Sequence, residues 1–259
     1  FWVLVDEEVM DRFHCDAEPC YPLYDNLGVS RNHPWKDWTM PRGTPVEITS
    51  AFEPEKQEDG SYLYQSGDAV FRLPAEGYYF DLIQPPFDWV ETPRDVEKME
   101  IPVLSDEELD YIKQKAVRMR RESDRFIITE TFGGWCDIAG PWLGNEKFYM
   151  DIVANPKMIH ALFEKMTDVW MRKIDQLVET VGDLVDAVPV YNDLGSNMGG
   201  LYRTETVREM VVPYVRKFND HVEKVSNYHI LFHSCGSVYQ YLPDLIDAGV
   251  KILNQIGRA

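Results

Sequence analysis

The sequence predicts an α/β fold with a parallel sheet, because strand-like and helix-like segments alternate through its C-terminal half. Short runs rich in β-branched residues occur at 125–129, 184–191, 228–233 and 250–253, with amphipathic helical stretches between them. A doubly wound sheet and a (β/α)8 TIM barrel both have this alternation. The sequence contains neither Gly-x-Gly-x-x-Gly nor Gly-x-x-x-x-Gly-Lys, the phosphate-binding motifs of many doubly wound folds. Their absence favours the barrel.

The N-terminal half, residues 1–125, predicts irregular structure with a β-hairpin excursion. Asp59-Gly60 is a hairpin turn signal. Ala69-Val-Phe-Arg-Leu73 is a strand candidate that Pro74 ends. Ser105-Asp-Glu-Glu108 is a capping box, and the apolar residues behind it recur at helical spacing. We expect this half and the regular βα units of residues 126–259 to form one (β/α)8-type domain over residues 1–259.

The first βα units of the C-terminal half begin with the strand at 125–129. Asn155-Pro156 then predicts the N-cap and first turn of a long helix, for which Gly182 is a suitable C-terminal stop. A strand is expected over 184–191. Pro189 weakens that prediction, since proline cannot donate to a strand ladder.

The later units follow the same order. Thr204 is expected to cap a helix that runs to about residue 225, with Pro213 marking a kink or a restart. After the strand at 228–233, the capping box Ser237-Val-Tyr-Gln240 predicts a helix that Gly249 ends. The strand at 250–253 completes the βαβαβαβ order.

Charge and hydropathy exclude several classes of protein. Forty-four acidic residues against 26 basic ones give a formal net charge of −18, which opposes binding to a nucleic-acid backbone. No apolar run reaches the roughly 18 residues of a transmembrane helix. The opening segment 1–8 lacks the basic start of a signal peptide. We therefore expect a cytoplasmic protein with no nucleic-acid or membrane partner; the sequence carries no signal for an oligomeric state.

Four predicted strand ends carry polar groups or glycine, at residues 130–135, 191–196, 233–236 and 254–255. Active-site residues of parallel α/β folds lie at the carboxyl ends of the strands. We therefore expect side chains from these four places to share one site.

His233 and Cys235 form the sharpest of these motifs. Residues i and i+2 of a strand project to the same side, about 6.5–7 Å apart along the backbone. Imidazole and thiolate are ligands that zinc prefers, and a catalytic zinc has three protein ligands. The motif His233-Ser-Cys235 therefore predicts two of them. The alternative is a histidine and a cysteine that only pack at a strand end.

Asp193 is the candidate catalytic residue. An acid at the end of a core strand is costly to bury unless it is hydrogen-bonded, paired or ligated. Asp193 is therefore expected to bind substrate, position a metal or act as acid or base, and the alternative is that it caps the following loop. Five further residues are candidate substrate contacts: Gly133, Gly134, Trp135, Asn192 and Gln255.

The arrangement of these motifs resembles the uroporphyrinogen decarboxylase superfamily, and more narrowly its cobalamin-dependent methyltransferase branch. The main matching segments are His233-Ser-Cys-Gly-Ser237, Leu242-Pro-Asp-Leu-Ile246 and Ala248-Gly-Val-Lys-Ile-Leu-Asn254. Supporting segments are Tyr191-Asn-Asp-Leu-Gly-Ser196, Pro213-Tyr214 and residues 59–81. The resemblance implies a (β/α)8 barrel.

In the methyltransferase branch, the resemblance implies a zinc ion that activates a thiol. The methyl group passes between a small methylated substrate or thiol and a corrinoid protein that carries methylcobalamin. His233 and Cys235 match the first two metal ligands of the branch. The third is a downstream cysteine, and no cysteine follows Cys235 in this sequence. The family pattern implies that the chain lacks terminal barrel units.

Two alternatives remain. A uroporphyrinogen-type decarboxylase needs no metal or corrinoid. Its arginine-rich N-terminal segment has no counterpart here. A non-catalytic barrel would bind a ligand or a corrinoid protein without turnover.

Overall fold

The computed structural model of the protein describes residues 4–129 and 134–257. The strands are β1 Ala17–Cys20, β2 Trp35–Thr39, β3 Pro45–Thr49, β4 Glu55–Lys56, β5 Tyr62–Ser66, β6 Ala69–Leu73, β7 Asp81–Gln84, β8 Phe126–Thr129, β9 Ala187–Tyr191, β10 Gly195–Ser196, β11 Gly199–Gly200, β12 His229–Cys235 and β13 Ile252–Ile256. The α-helices are α1 Glu7–Arg12, α2 Pro93–Lys98, α3 Asp106–Glu122, α4 Cys136–Leu143, α5 Asn145–Ala154, α6 Pro156–Val181, α7 Thr204–Met210, α8 Val212–Val225 and α9 Leu242–Asp247. Short 3-10 helices cover Gly182–Leu184 and Tyr239–Tyr241.

A five-stranded parallel sheet in the order β1-β8-β9-β12-β13 forms the centre of the protein. Its last four strands are the predicted ones, so the parallel α/β class is confirmed. β1 was not predicted. Glu18 and Pro19 lie within it, and both residue types are depleted in strands. This strand comes from the half of the chain that looked irregular.

The sheet is open rather than closed. In the described part of the chain, β1 and β13 are its outer strands and do not pair with each other. The closed (β/α)8 barrel expected from the sequence is therefore not seen. The five described strands form one continuous series of parallel pairs.

Pro189 sits in β9 without breaking the sheet. The Asn192 N–H donates to the His233 carbonyl of β12 at 3.0 Å. Because alternate residues of a strand direct their N–H groups to the same neighbour, the missing N–H of Pro189 faces β8. There, the described residues pair only at Ile128 and Ala187. The proline therefore removes no bond from the β9–β12 ladder.

The N-terminal half contains two antiparallel sheets, β2–β3 and β4–β7. The predicted hairpin is confirmed: Gly60 has a φ of 82°, and the Ser61 N–H donates to Asp59 Oδ1 at 3.0 Å. A small apolar cluster of Val29, Ile48 and Phe52 lies in this half. It is separate from the large core that the helices form against the parallel sheet.

Several helix boundaries agree with the sequence. Ser105 forms its capping box, with the Glu108 N–H donating to Ser105 Oγ at 3.3 Å. Gly182 follows the last residue of α6. Pro213 marks a restart, since α7 ends before it and α8 begins at Val212.

Asn155 is the N-cap residue of α6 and Pro156 is its first residue, as predicted, although the Asn155 side chain donates to the Glu91 carbonyl at 2.8 Å rather than accepting a helix N–H. The two other predicted caps are wrong. Thr204 is the first helical residue of α7 and not its cap. Ser237 forms no capping box, because its backbone N–H donates to the Ser196 carbonyl at 2.9 Å and α9 begins only at Leu242.

Membrane-spanning helices are absent from the described part of the chain: none of its helices is both long enough and apolar enough to cross a bilayer.

Two glycines let the loops after β9 and β12 cross at close range. Gly236 has a φ of 73°, and a Cβ there would lie 2.4 Å from the Gly195 carbonyl carbon. A Cβ on Gly195 would lie 2.7 Å from the Ser237 nitrogen. A side chain at either position would push these loops apart.

The Gly236→Ala variant is expected to lose more stability than Gly43→Ala. Gly43 has a similar φ of 84°, with no described atom within 4 Å of an added Cβ. Gly43→Ala should therefore cost only the roughly 1–2 kcal/mol of the left-handed conformation. Gly236→Ala adds a clash that costs about 1–3 kcal/mol more. Urea unfolding measures both, and equal losses would contradict the crossing.

Candidate functional site

The register of the parallel sheet brings the predicted metal ligands to one face. His233 pairs directly with Tyr191 of β9 and with Asn254 of β13, and directly paired residues project to the same side of a sheet. Cys235, two residues on, shares that face. The alternate residues of β12 are buried on the opposite face: Ile230, Phe232 and Ser234. The i, i+2 prediction for His233 and Cys235 agrees with this placement.

Asp193 joins His233 and Cys235 at the carboxyl end of the sheet. Cys235 Sγ lies 3.4 Å from His233 Nε2, and His233 Nε2 lies 3.6 Å from Asp193 Oδ1. One nitrogen, one sulfur and one carboxylate oxygen therefore lie within 4.8 Å of one another. All three residues are partly exposed, so a ligand from solvent can reach them.

Backbone hydrogen bonds hold Asp193 from two sides. The Cys235 N–H donates to Asp193 Oδ1 at 2.6 Å. The Asp193 N–H donates to both carboxylate oxygens of Asp137, at 2.9 and 3.0 Å. The bond that the Asp193 carboxylate accepts comes from Cys235 on β12 and not from the loop after Asp193, to which the capping alternative assigned it. The same bonds also direct its carboxylate toward His233 and Cys235.

Asn192 lies behind the site. Its side chain is fully buried, and Asn192 Oδ1 accepts the N–H groups of Trp135 and Cys136 at 3.1 and 2.8 Å. These N–H groups begin α4. Gly134 makes the approach possible, since a Cβ there would lie 1.9 Å from the Tyr191 carbonyl oxygen. Gly134, a candidate substrate contact in the sequence, therefore lies against the protein's own backbone.

Trp135 belongs to the core. Its ring is fully buried, its Nε1–H donates to Thr167 Oγ1 at 2.8 Å, and it meets Phe218 edge-on at 6.2 Å. The ring therefore has no exposed surface for a substrate in this structure. Gly133, the remaining glycine of the predicted substrate loop, lies outside the described residues.

Gln255 lies on the opposite face of β13 from His233, since it pairs with Ser234. Its side-chain amide donates to the carbonyls of Gly236 at 2.9 Å and Gly257 at 3.3 Å. Gln255 thus holds the turn after β12. The structure does not bring it together with His233 and Cys235, although it supports the backbone beside them.

Two residues of the site are not among the candidates named from the sequence, although Asn254 belongs to the strand end at 254–255 that was expected to contribute to it. Asn254 shares the face of His233, and its Oδ1 lies 2.7 Å from His233 Nδ1. Asp137 lies in the first turn of α4 and binds the Asp193 backbone. The register of β13 would have identified Asn254. No spacing signal connects Asp137 with residues more than fifty positions away.

The electrostatics of the site favour a cation. Burial raises the pKa of the Cys235 thiol, and the Asp193 and Asp137 carboxylates raise it further. Burial also raises the pKa of Asp137 to about 6. The Asp193 carboxylate raises this pKa further, whereas the hydrogen bond from the Asp193 N–H and the nearby His233 lower it. A bound cation would reverse these effects on the thiol. Nitrogen, sulfur and oxygen donors at this spacing fit Zn²⁺.

A comparison with protein families identifies the chain. The sequence profile described as uroporphyrinogen decarboxylase (URO-D) matches residues 79–255. The chain belongs to this family. The match includes β8, β9, β12 and most of β13, and with them His233, Cys235 and Asp193. A comparison with curated proteins gave no match.

A comparison with solved structures finds a similar fold. A methyltransferase from Methanosarcina mazei has a TM-score of 0.50 and 18% sequence identity, over 72% of this chain and 52% of that chain. At this identity the likeness concerns the fold alone. The present chain spans about half the length of that protein.

Membership of this family confirms the resemblance to the uroporphyrinogen decarboxylase superfamily that the sequence motifs indicated. URO-D membership implies a TIM barrel, of which the described chain contains an open five-stranded arc. The match begins at residue 79. The proposed resemblance of residues 59–78 is therefore outside it and stays a prediction.

In chelator-treated protein, the free energy of unfolding is expected to fall as the pH rises from about 4 to 6. The folded state raises the pKa of Asp137 from 3.8 to about 6, so it binds a proton more strongly than the unfolded chain does. The contribution of Asp137 is therefore full below pH 4 and is lost by about pH 6. Its size is at most about 3 kcal/mol.

Asp137→Asn should flatten this pH dependence, because the amide does not titrate and still offers an oxygen to the Asp193 N–H. Asp220→Asn, at an exposed position of α8, is the matched control. Denaturant unfolding at a series of pH values measures both variants. A slope between pH 4 and 6 that is the same in Asp137→Asn and in the parent protein would contradict the assignment.

Proposed function

We propose that this chain is a methyltransferase of the URO-D family that moves a methyl group between a small methylated substrate or thiol and a corrinoid protein carrying methylcobalamin. The observation that carries the proposal is the group formed by Asp193, His233 and Cys235 at the carboxyl end of the parallel sheet. A decarboxylase of the family needs no such set of metal donors. The fold likeness to a methyltransferase agrees with this choice.

The metal would be held by His233 Nε2, Cys235 Sγ and a carboxylate oxygen of Asp193. Among the described residues, Asp193 offers the third donor beside His233 and Cys235. When bound, zinc supplies Lewis acidity that lowers the pKa of a ligated thiol and holds it as thiolate. Without a cation, burial and the two nearby carboxylates keep the pKa of Cys235 high.

In the methyl transfer itself, the main task of the protein is to place the thiol and the methyl carbon next to each other. A substrate thiol releases its proton to water, and its sulfur attacks the methyl carbon. An S–C bond forms, the bond between the methyl group and the cobalt of the partner's corrinoid breaks, and that electron pair remains with cobalt. The open face above His233 and Cys235 is the place where a thiol would meet the partner protein. Transfer from a methylated substrate to the corrinoid runs in the opposite direction.

The alternative function is decarboxylation of a porphyrinogen-type substrate, which family membership supports. It would give no role to the convergence of His233 and Cys235. A barrel that binds a ligand without turnover is the remaining alternative. Metal content and two activity assays separate these possibilities.

Metal-depleted protein is expected to bind one equivalent of Zn²⁺. His233→Ala and Cys235→Ala should each weaken binding by at least about 100-fold, more than the 10–100-fold that loss of an outer partner of a metal ligand costs. Competition with a chromophoric chelator measures the affinity. Cys15→Ala and His229→Ala, at exposed positions, are the controls. Absence of zinc binding after supplementation would contradict the metal site.

The activity is tested by the spectrum of methylcobalamin. We expect demethylation when the zinc-loaded protein and a candidate thiol acceptor are added together, and no change with Cys235→Ala. Porphyrinogen turnover without added metal would instead support the decarboxylase. Zinc binding without either activity would support the non-catalytic alternative.

A further inference from the structure

We infer that Asn254 is a positioning residue for the site: it decides which ring nitrogen of His233 carries the proton and leaves Nε2 free to bind a metal. The part that concerns metal affinity rests on the proposed function. The part that concerns the protonated nitrogen does not, and it can be measured in the metal-free protein.

The geometry of the His233 ring carries the inference. Asn254 Oδ1, a carbonyl oxygen, lies 2.7 Å from His233 Nδ1. A carbonyl oxygen only accepts, so Nδ1 must donate. Neutral imidazole has one N–H, and the proton on Nδ1 therefore leaves Nε2 with its lone pair.

Nε2 is the nitrogen that faces the other donors. It lies 3.4 Å from Cys235 Sγ and 3.6 Å from Asp193 Oδ1. A lone pair at this position can accept the thiol S–H in the metal-free protein and can bind a metal there instead. With the proton on Nε2, neither would be possible.

The ring is also held in place by its two neighbours in the sheet. His233 pairs directly with Asn254 on β13 and with Tyr191 on β9. The Tyr191 ring lies 5.5 Å from the imidazole, centroid to centroid, at an interplanar angle of 59°. The imidazole thus has an aromatic ring on one side and the amide acceptor on the other. Their placement follows from the strand register.

Asn254 thereby does for His233 what an outer hydrogen-bond partner does for a metal-ligating histidine. Such partners fix the protonated nitrogen and the ring orientation, and their loss usually costs 10–100-fold in metal affinity. Asn254 is exposed on the strand at the edge of the described sheet. Its substitution should therefore leave the core intact.

The direct test uses protein with ¹⁵N-labelled histidine, free of metal, at an alkaline pH where imidazole is neutral. The His233 signals are assigned by their loss in His233→Ala. Two-bond ¹⁵N–¹H correlations should show the proton on Nδ1 in the parent protein and in Asn254→Asp, whose carboxylate is also an acceptor. Asn254→Leu, of similar size and without an acceptor, should populate the Nε2–H form. Leu253→Ala, on the other face of β13, should change nothing.

A parent protein with the proton on Nε2 would overturn the inference, and so would an Asn254→Leu spectrum equal to that of the parent. Circular dichroism verifies that both Asn254 variants fold. Asn254→Asp keeps the test decisive even where the leucine variant is less stable.

Zinc titration then separates this inference from the proposed function. Asn254→Leu should bind Zn²⁺ 10–100-fold more weakly than the parent protein, and Asn254→Asp should bind it at least as tightly. Parent protein that binds no zinc would defeat the metal site, while the ¹⁵N result still decides the role of Asn254. Equal zinc affinity of the parent and Asn254→Leu would defeat the positioning role and leave the metal site standing.

Discussion

The candidate site depends on a reciprocal set of hydrogen bonds between the end of β9 and the start of α4. Asn192 Oδ1 accepts two N–H groups from the first turn of α4, and Asp137 of that turn accepts the Asp193 N–H in return. Because Asn192 is fully buried, leaving its partners unpaired would cost more than the roughly 1 kcal/mol of an ordinary hydrogen bond. These bonds fix the backbone of Asp193, and its carboxylate consequently lies beside His233 and Cys235.

Strand periodicity was sufficient to predict much of this arrangement. The alternation of side chains placed His233 and Cys235 on one face, and the strand-end rule selected Asp193. Choosing between Asn254 and Gln255 required the register of β13 against β12, which a single sequence does not contain. The roles of Trp135 and Asn192 were missed for a different reason. Residues at a strand end can turn toward the site or into the core, and only the packing of α4 decides which.

The charges at the site disfavour the thiolate form of Cys235. Two carboxylates, Asp193 and Asp137, lie near the Cys235 sulfur and oppose its ionisation. A divalent cation would relieve that repulsion. A site of this composition therefore couples thiol ionisation to metal occupancy. The protein as a whole, at a formal charge of −18, adds to the negative potential that attracts cations.

The position of β13 has a dynamic consequence. In the described chain this strand is hydrogen-bonded to β12, and elements of a folded protein open locally at a lower free energy than the whole protein unfolds. Each such opening would carry Asn254 away from His233 and release the ring. Anything that binds the ordered His233 more tightly than the released one must, by linkage, lower the population of that open state. Amide hydrogen exchange along β13 would then report occupancy of a site that lies on the neighbouring strand.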